Sequence, residues 1–216
     1  ITYVGAGALG AAQTTTDATA TAPSGTAAGD IALVYCWVRN TADTMDVSGY
    51  AQIPSTHVNT STGSHSWWWR RLTGPAGTAS CHKSASADSY ARQFVFRGVV
   101  ASGNPWNAVS AGQVGTPDAS GIYAATGINT GAANSMVVVF SGYQDNDEAS
   151  VVMSSTSPAS YTTVYAESSV GNDGSISMGY AIRSAAGATG NITIDYNTAA
   201  GSDPAGTLVL SLSPGP

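Results

Sequence analysis

The stretch Trp67-Trp68-Trp69-Arg70-Arg71 carries the side chains best suited to binding a ligand. Alternate side chains of a β-strand point to opposite faces, so Trp67, Trp69 and Arg71 are predicted to share one face. One tryptophan set is then expected in the core. The other is expected on the outer face beside an arginine, where an indole ring stacks on a sugar or anchors a protein neighbour. Alternatively, the outer set packs under a loop or against the arginine stems. The candidate binding residues are Trp67, Trp69, Arg70, Arg71 and Trp106.

Gly5-Ala6-Gly7-Ala8-Leu9-Gly10 has the spacing of a dinucleotide-binding loop, and Asp30 lies at about the position of the acid that binds ribose. Such a loop places the pyrophosphate at the N-terminus of a helix. Residues 11–21 are instead rich in threonine and lack an apolar face, and Asp30 precedes its strand. We therefore expect a flexible segment here and no cofactor.

An acidic loop offers the oxygen ligands that Ca²⁺ prefers, but it lacks the spacing and the glycine of an EF-hand. Its weak candidate ligands are Asp145, Asp147 and Glu148. His57, His65 and His82 do not have the spacing of a zinc site. The sequence therefore predicts no metal site.

Catalytic signatures are scarce. The chain has no Gly-x-Ser-x-Gly elbow, and Cys36 lies in an apolar run where a thiolate is disfavoured. A glycosidase needs two carboxylates facing each other across a cleft, and the only glutamates are Glu148 and Glu167. We expect a protein that is not an enzyme, with a glycoside hydrolase as the third alternative.

Charged residues make up 9% of the 216 residues, against roughly 25% in an average soluble protein. The net charge of −6 argues against a nucleic-acid partner. Residues 1–97 hold six of the seven basic residues and five acids, whereas the rest hold Arg183 and eight acids. This asymmetry either favours packing against a neighbouring subunit or arises by chance. No run approaches the ~18 apolar residues of a membrane span, and residue 1 does not open a signal peptide, so we expect a soluble, folded chain.

Two cysteines, Cys36 and Cys81, are too few for a disulfide scaffold. Cys36 is interpreted as a small buried apolar residue, and a Cys36–Cys81 bridge is the alternative. Sequence does not give the Cα separation that a bridge requires.

Strand patterns dominate the chain, because β-branched and aromatic runs alternate with turns of Gly, Pro, Ser, Asn and Asp. The predicted strands are 31–38, 66–72, 90–96, 136–141, 151–153, 161–166, 175–183, 191–196 and 207–212. A weak repeat relates the halves 25–103 and 130–214, which follow an extended segment 1–24 and are joined near 104–133. One half cannot cover both faces of its own sheet. We therefore predict one all-β domain, an antiparallel β-sandwich of eight or more strands.

This order of elements resembles a jelly-roll module of tailed-bacteriophage virion proteins. The residues that carry the resemblance are Tyr3 to Gly7, Pro23 to Asp30, Arg71 to Gly74, Phe96 to Val99 and Leu208 to Pro214. The resemblance implies a jelly-roll-like sandwich that serves as a capsid decoration protein, head fibre or tail-attached adhesin on the virion.

The expected partners are other virion proteins and further copies of the chain, most simply in a trimer, without nucleic acid or membrane. The alternative is a carbohydrate-binding module, or an adhesin for a host glycan, that uses exposed tryptophans.

Overall fold

The computed structural model describes residues 1–13, 17–84, 86–144, 150–168, 174–197 and 203–216, and within these ranges the chain forms strands and no helix. The first half contains β1 (Thr2–Ala6), β2 (Gly10–Ala12), β3 (Ala18–Ala20), β4 (Ile31–Val38), β5 (Met45–Val47), β6 (Ala51–Gln52), β7 (Val58–Asn59), β8 (Ser64–Arg71), β9 (Ala79–Lys83) and β10 (Ser89–Arg97). The second half contains β11 (Trp106–Val109), β12 (Gln113–Gly115), β13 (Ile122–Ala125), β14 (Asn129–Thr130), β15 (Ser135–Tyr143), β16 (Val152–Ser154), β17 (Thr162–Ser168), β18 (Gly174–Arg183), β19 (Gly187–Ala188), β20 (Ile192–Asp195) and β21 (Ala205–Leu212).

Two large antiparallel sheets form the centre of the molecule. One has the order β1-β10-β4-β8-β6, with β2 also on β10 and β7 also on β8, and the other has the order β11-β21-β15-β18-β17, with β12 also on β21. Small sheets of order β3-β9-β5 and β13-β20-β16 accompany them, and β14 pairs with β19. The predicted all-β antiparallel sandwich class is confirmed.

Strand β4 shows why the core has several layers. Its eight residues are all buried, because Leu33 and Trp37 enter the core between the large sheets, while Val34 and Cys36 enter an outer core under β3-β9-β5. A strand that is covered on both faces has an unbroken run of apolar residues in its sequence. The predicted strand 31–38 matches β4. The second half repeats this arrangement, with β15 between the central core and an outer core under β13-β20-β16.

The expectation that one half cannot cover both faces of its own sheet is wrong, since in each half a small sheet covers the outer face of the large sheet. The covering strands include β3 and β13, which lie in the segments expected to be an extended start (1–24) and a connection (104–133). Both are short, and β3 is Ala-Thr-Ala, so neither has the apolar alternation that marks a strand in the sequence.

Strand pairing relates the halves residue by residue. Phe96 of β10 lies opposite Ile31 of β4, and Leu212 of β21 lies opposite Met136 of β15, so Ile31 and Met136 occupy equivalent positions. The same register makes Trp69 of β8 equivalent to Tyr180 of β18.

The two large sheets carry side chains of different size at equivalent positions where the sheets are in contact. Trp37 and Tyr90 are paired across β4 and β10, and the equivalent pair in the second half is Gly142 and Gly206. A Cβ atom at Gly206 would lie 2.3 Å from the ring of His65. Aromatic rings of the first half therefore fill hollows that glycines leave in the second half.

A buried polar chain crosses between the halves at this point. The Tyr35 hydroxyl donates to the carbonyl of Gly206 at 3.1 Å and lies 2.7 Å from Nδ1 of His65. Because that hydroxyl has one proton, Nδ1 of His65 is the donor to Tyr35. Burial lowers the pKa of His65 to about 3, so the ring is neutral at pH 7.

The two cysteines form a disulfide within the outer core of the first half. Cys36 of β4 and Cys81 of β9 are bonded with a Cα–Cα distance of 6.0 Å. The sequence left this bridge open, and the structure shows that Cys36 is buried and bonded. The bond joins a large sheet to the small sheet that covers it.

Gly206→Ala is expected to lower the free energy of unfolding by about 1–3 kcal/mol, because the added methyl group overpacks a buried contact. The melting temperature should fall by about 2–4 °C for each kcal/mol. Gly77→Ala is the matched control, since a Cβ there meets no atom within 4 Å. Equal melting temperatures for the two variants would contradict the close packing of the halves.

Acid is expected to destabilise the fold through His65. The unfolded histidine has a pKa near 6.5 and the folded one about 3, so between these values only the unfolded state takes up the proton. The contribution of His65 to the free energy of unfolding is complete above about pH 6.5. It is lost at about 1.4 kcal/mol per pH unit as the pH falls toward 3. In His65→Asn the amide still donates to Tyr35 but does not titrate. Urea unfolding of the unaltered chain and of His65→Asn, from pH 7 to pH 5, measures the difference between their free energies of unfolding. This difference should shrink on acidification, and a constant difference rules out this role.

Candidate functional site

The tryptophans of β8 do not form an exposed platform. Trp67 is 1% exposed and stacks on Tyr35 in the central core, with ring centroids 4.6 Å apart. Trp68 is 8% exposed in the outer core, where its Nε1 donates to Ser66 at 2.8 Å. The prediction that Trp67 lies at the surface is wrong, because its face of β8 packs in the core between the two large sheets. The sheet β3-β9-β5 covers the opposite face, which holds Trp68.

Trp69 and Trp106 meet at one seam between the halves. Both are half-buried, and their rings pack edge to face with centroids 5.3 Å apart. The equivalent position at the other seam holds Tyr180, which packs against Tyr3 with centroids 4.7 Å apart. Both seams hold such a pair of aromatic rings. We therefore interpret the rings as residues that pack the two halves against each other.

Arg70 and Arg71 lie at the end of β8 and are both half-buried. The guanidinium of Arg70 lies over the ring of Tyr50, 4.7 Å from its centroid, and Gln93 donates to the Tyr50 hydroxyl at 2.7 Å. Arg71 donates from Nη2 to the carbonyl of Gly103 at 3.4 Å. Strand β6 brings Tyr50 here, because Ala51 and Gln52 pair with β8.

These arginines border a pocket of about 260 Å³. It is lined by Gly49, Arg70, Arg71, Leu72, Thr73, Gly74 and Pro75. The sequence pointed to the two arginines, but Thr73-Gly74-Pro75 was interpreted only as a turn. Nothing in the sequence indicated that Gly49 and Tyr50 would reach them.

The dinucleotide-like motif adopts another structure. Gly10 begins strand β2 where a nucleotide-binding loop would begin a helix. Asp30 is 2% exposed and accepts hydrogen bonds from Nε and Nη2 of Arg97, both at 2.8 Å. Burial alone raises the pKa of Asp30, and the hydrogen bonds from Arg97 and the Ala27 amide outweigh it and lower the pKa. This carboxylate serves to link β10 to the start of β4.

The weak metal ligands Asp145, Asp147 and Glu148 lie outside the described residues, as does one glutamate of the hydrolase alternative; the other, Glu167, falls in β17. Elsewhere in the described chain, no group of three His, Cys, Asp or Glu residues is placed to hold a metal ion. His82 forms an ion pair with Asp17 at 2.9 Å. His65 is buried in the core. Among the described residues there is also no helix of the length and apolarity that a membrane span requires.

No protein-family model matches the chain, and neither the curated proteins nor the solved structures contain a significant match.

The Trp69–Trp106 pair is expected to contribute to stability as a unit. Trp69→Ala and Trp106→Ala should each lower the free energy of unfolding, and the double variant should lose about 0.5–1.5 kcal/mol less than the two losses added together. Chemical unfolding of the four proteins completes the cycle. Additive losses would show that the rings do not support each other.

Proposed function

We propose that the chain is a non-enzymatic structural or binding component of a bacteriophage particle, in the role of a capsid decoration, head-fibre or tail-attached protein. The observation that carries this proposal is the strand order within each half. Counting β1–β2 and β6–β7 as one position each, the large sheet has the order one, eight, three, six, five, and the small sheet has the order two, seven, four. The second half repeats this order when the β14–β19 ribbon is set aside. We interpret this order as that of a jelly-roll-like fold in which position five joins the large sheet. The jelly roll is an architecture of viral capsid domains and also of lectins.

The packing supports a function at the outer surface. Both faces of each large sheet are buried, so loops, sheet edges and the outer sides of the small sheets are available for contacts. With 9% charged residues in the chain, few long charged side chains must be desolvated or immobilised when this surface docks. Such a surface suits repeated attachment to a lattice of identical sites.

Association of copies is part of the proposal. The acids in excess after residue 97 and the bases concentrated before it give the two halves opposite tendencies in charge. A ring of copies in which one half meets the other half of its neighbour uses this difference, and a trimer is the simplest closed ring we expect.

Carbohydrate binding is the weaker second candidate. Trp69 and Trp106 are half-exposed, but the edge of one ring covers part of the other, and Trp67 is removed from the surface. A host glycan therefore has two partly covered rings to stack on.

Immunogold electron microscopy tests the proposal. Antibodies raised against the purified chain should label intact phage particles released by the host that encodes it, at the head or at the tail. The same antibodies absorbed with the purified chain serve as the control. Label that stays in the soluble lysate and never sediments with particles would overturn the proposal, and light scattering that finds only a monomer would remove the trimer.

A further inference from the structure

The seam that holds Tyr3 and Tyr180 opens into a pocket of about 500 Å³ between the two halves. Strand register shows which side chains face it. Met136 of β15 points into the central core, and Ile182 of β18 lies opposite Met136, so both side chains are on the inner face of their sheet. Tyr180 lies two positions before Ile182 and therefore shares that face. Thr162 of β17 lies opposite Tyr180 and shares it as well.

Tyr3 of β1 forms the wall that belongs to the first half. Its ring packs against Phe96 of the central core, with centroids 5.5 Å apart, and against Tyr180, with centroids 4.7 Å apart. Its hydroxyl is shielded from solvent, so only the ring is available to line a pocket. The other lining residues are Ile1, Thr2, Ser160, Tyr161 and Ala181. Side chains from both halves therefore converge on one space.

The pocket is present because this seam holds smaller side chains than the other seam. Strand register makes Tyr3 equivalent to Trp106 and Ile182 equivalent to Arg71. At the other seam, Arg71 extends to the carbonyl of Gly103. At this seam the shorter Ile182 remains 46% exposed, although it points between the sheets. The smaller side chains leave a hollow that the larger ones fill.

The lining combines apolar surface with hydroxyl groups and has no charged side chain. None of the ten lining residues is Asp, Glu, Lys, Arg or His. A charged ligand would lose its hydration there without gaining a partner of opposite charge. A purely apolar ligand would cover the exposed hydroxyl of Thr162 and leave it without a hydrogen-bond partner. The lining therefore suits an uncharged ligand that has both an apolar face and hydroxyl groups.

We propose that this pocket binds a neutral sugar. The CH groups of the sugar ring pack on Tyr180 and Ile182, and the hydroxyl of Thr162 hydrogen-bonds a sugar hydroxyl. The volume of about 500 Å³ falls within the roughly 300–1,000 Å³ of pockets for small ligands. The site is distinct from the Trp69–Trp106 pair, and it does not depend on attachment to a particle.

Saturation-transfer difference NMR on the purified full chain tests the proposal, with the methyl glycosides of glucose, galactose, mannose and N-acetylglucosamine as probes. At least one glycoside should receive saturation, and most strongly at its ring CH protons, because these contact the tyrosine ring. Hexanol is the purely apolar comparison. Absence of transfer to all four glycosides overturns the proposal, and hexanol bound in their place identifies an apolar ligand instead.

A pair of surface variants shows whether the sugar binds in this pocket. Ile182→Arg copies the other seam and should weaken binding about tenfold or more, because the longer side chain enters the pocket. Val152→Arg is the matched control, since Val152 is 53% exposed in β16 and does not line the pocket. Melting temperatures show that both variants fold. Equal affinities of the two variants would place the sugar elsewhere and overturn the proposal.

A second pair tests the hydrogen bond. Thr162→Val keeps the shape of the side chain but removes its hydroxyl, so the affinity should fall about fivefold, as expected for one lost hydrogen bond. Thr163→Val is the control, because Thr163 lies opposite Gly179 on the other face of the sheet and should leave the affinity unchanged. Unchanged affinity in Thr162→Val would overturn a sugar as the ligand, whatever the particle labelling shows.

Discussion

The packing of the two large sheets against each other is the constraint on which the rest of the structure depends. The central core draws its side chains from β4, β8 and β10 of one half and from β15, β18 and β21 of the other. Aromatic bulk on one side is matched by missing side chains on the other, as the packing of His65 against Gly206 shows. The halves are therefore complementary surfaces built on one strand plan, and neither could replace the other.

This packing determines what is left for function. The most conspicuous side chains of the sequence, the tryptophans of β8, are largely used to hold the molecule together. The arginines that follow them lie at the end of the strand, where they line a pocket together with Thr73, Gly74 and Pro75. Chemistry suited to recognition thus lies at the end of a strand whose middle is wholly structural, which gives it a rigid support.

Prediction from the sequence succeeded where local pattern and burial agree. β4 was predicted at its observed bounds, because covering both faces requires eight consecutive apolar residues. It failed for β3, whose three residues are recognisable as a strand only once β9 lies beside them. It also failed for Trp67, whose place in the core between the large sheets depends on how the two halves pack. The Arg70–Arg71 pocket needed a further long-range fact, the pairing of β6 with β8, which brings Tyr50 to the arginines.

The link between large and small sheets differs in kind between the halves. Ser141 occupies the position in β15 that Cys36 occupies in β4, and its hydroxyl is hydrogen-bonded to the hydroxyl of Tyr196 beside β20. At this position the first half has a disulfide bond, and the second half has a hydrogen bond. A protease that cuts once between residues 36 and 81 leaves its two products tethered, whereas one cut between residues 141 and 196 yields fragments that separate on denaturation.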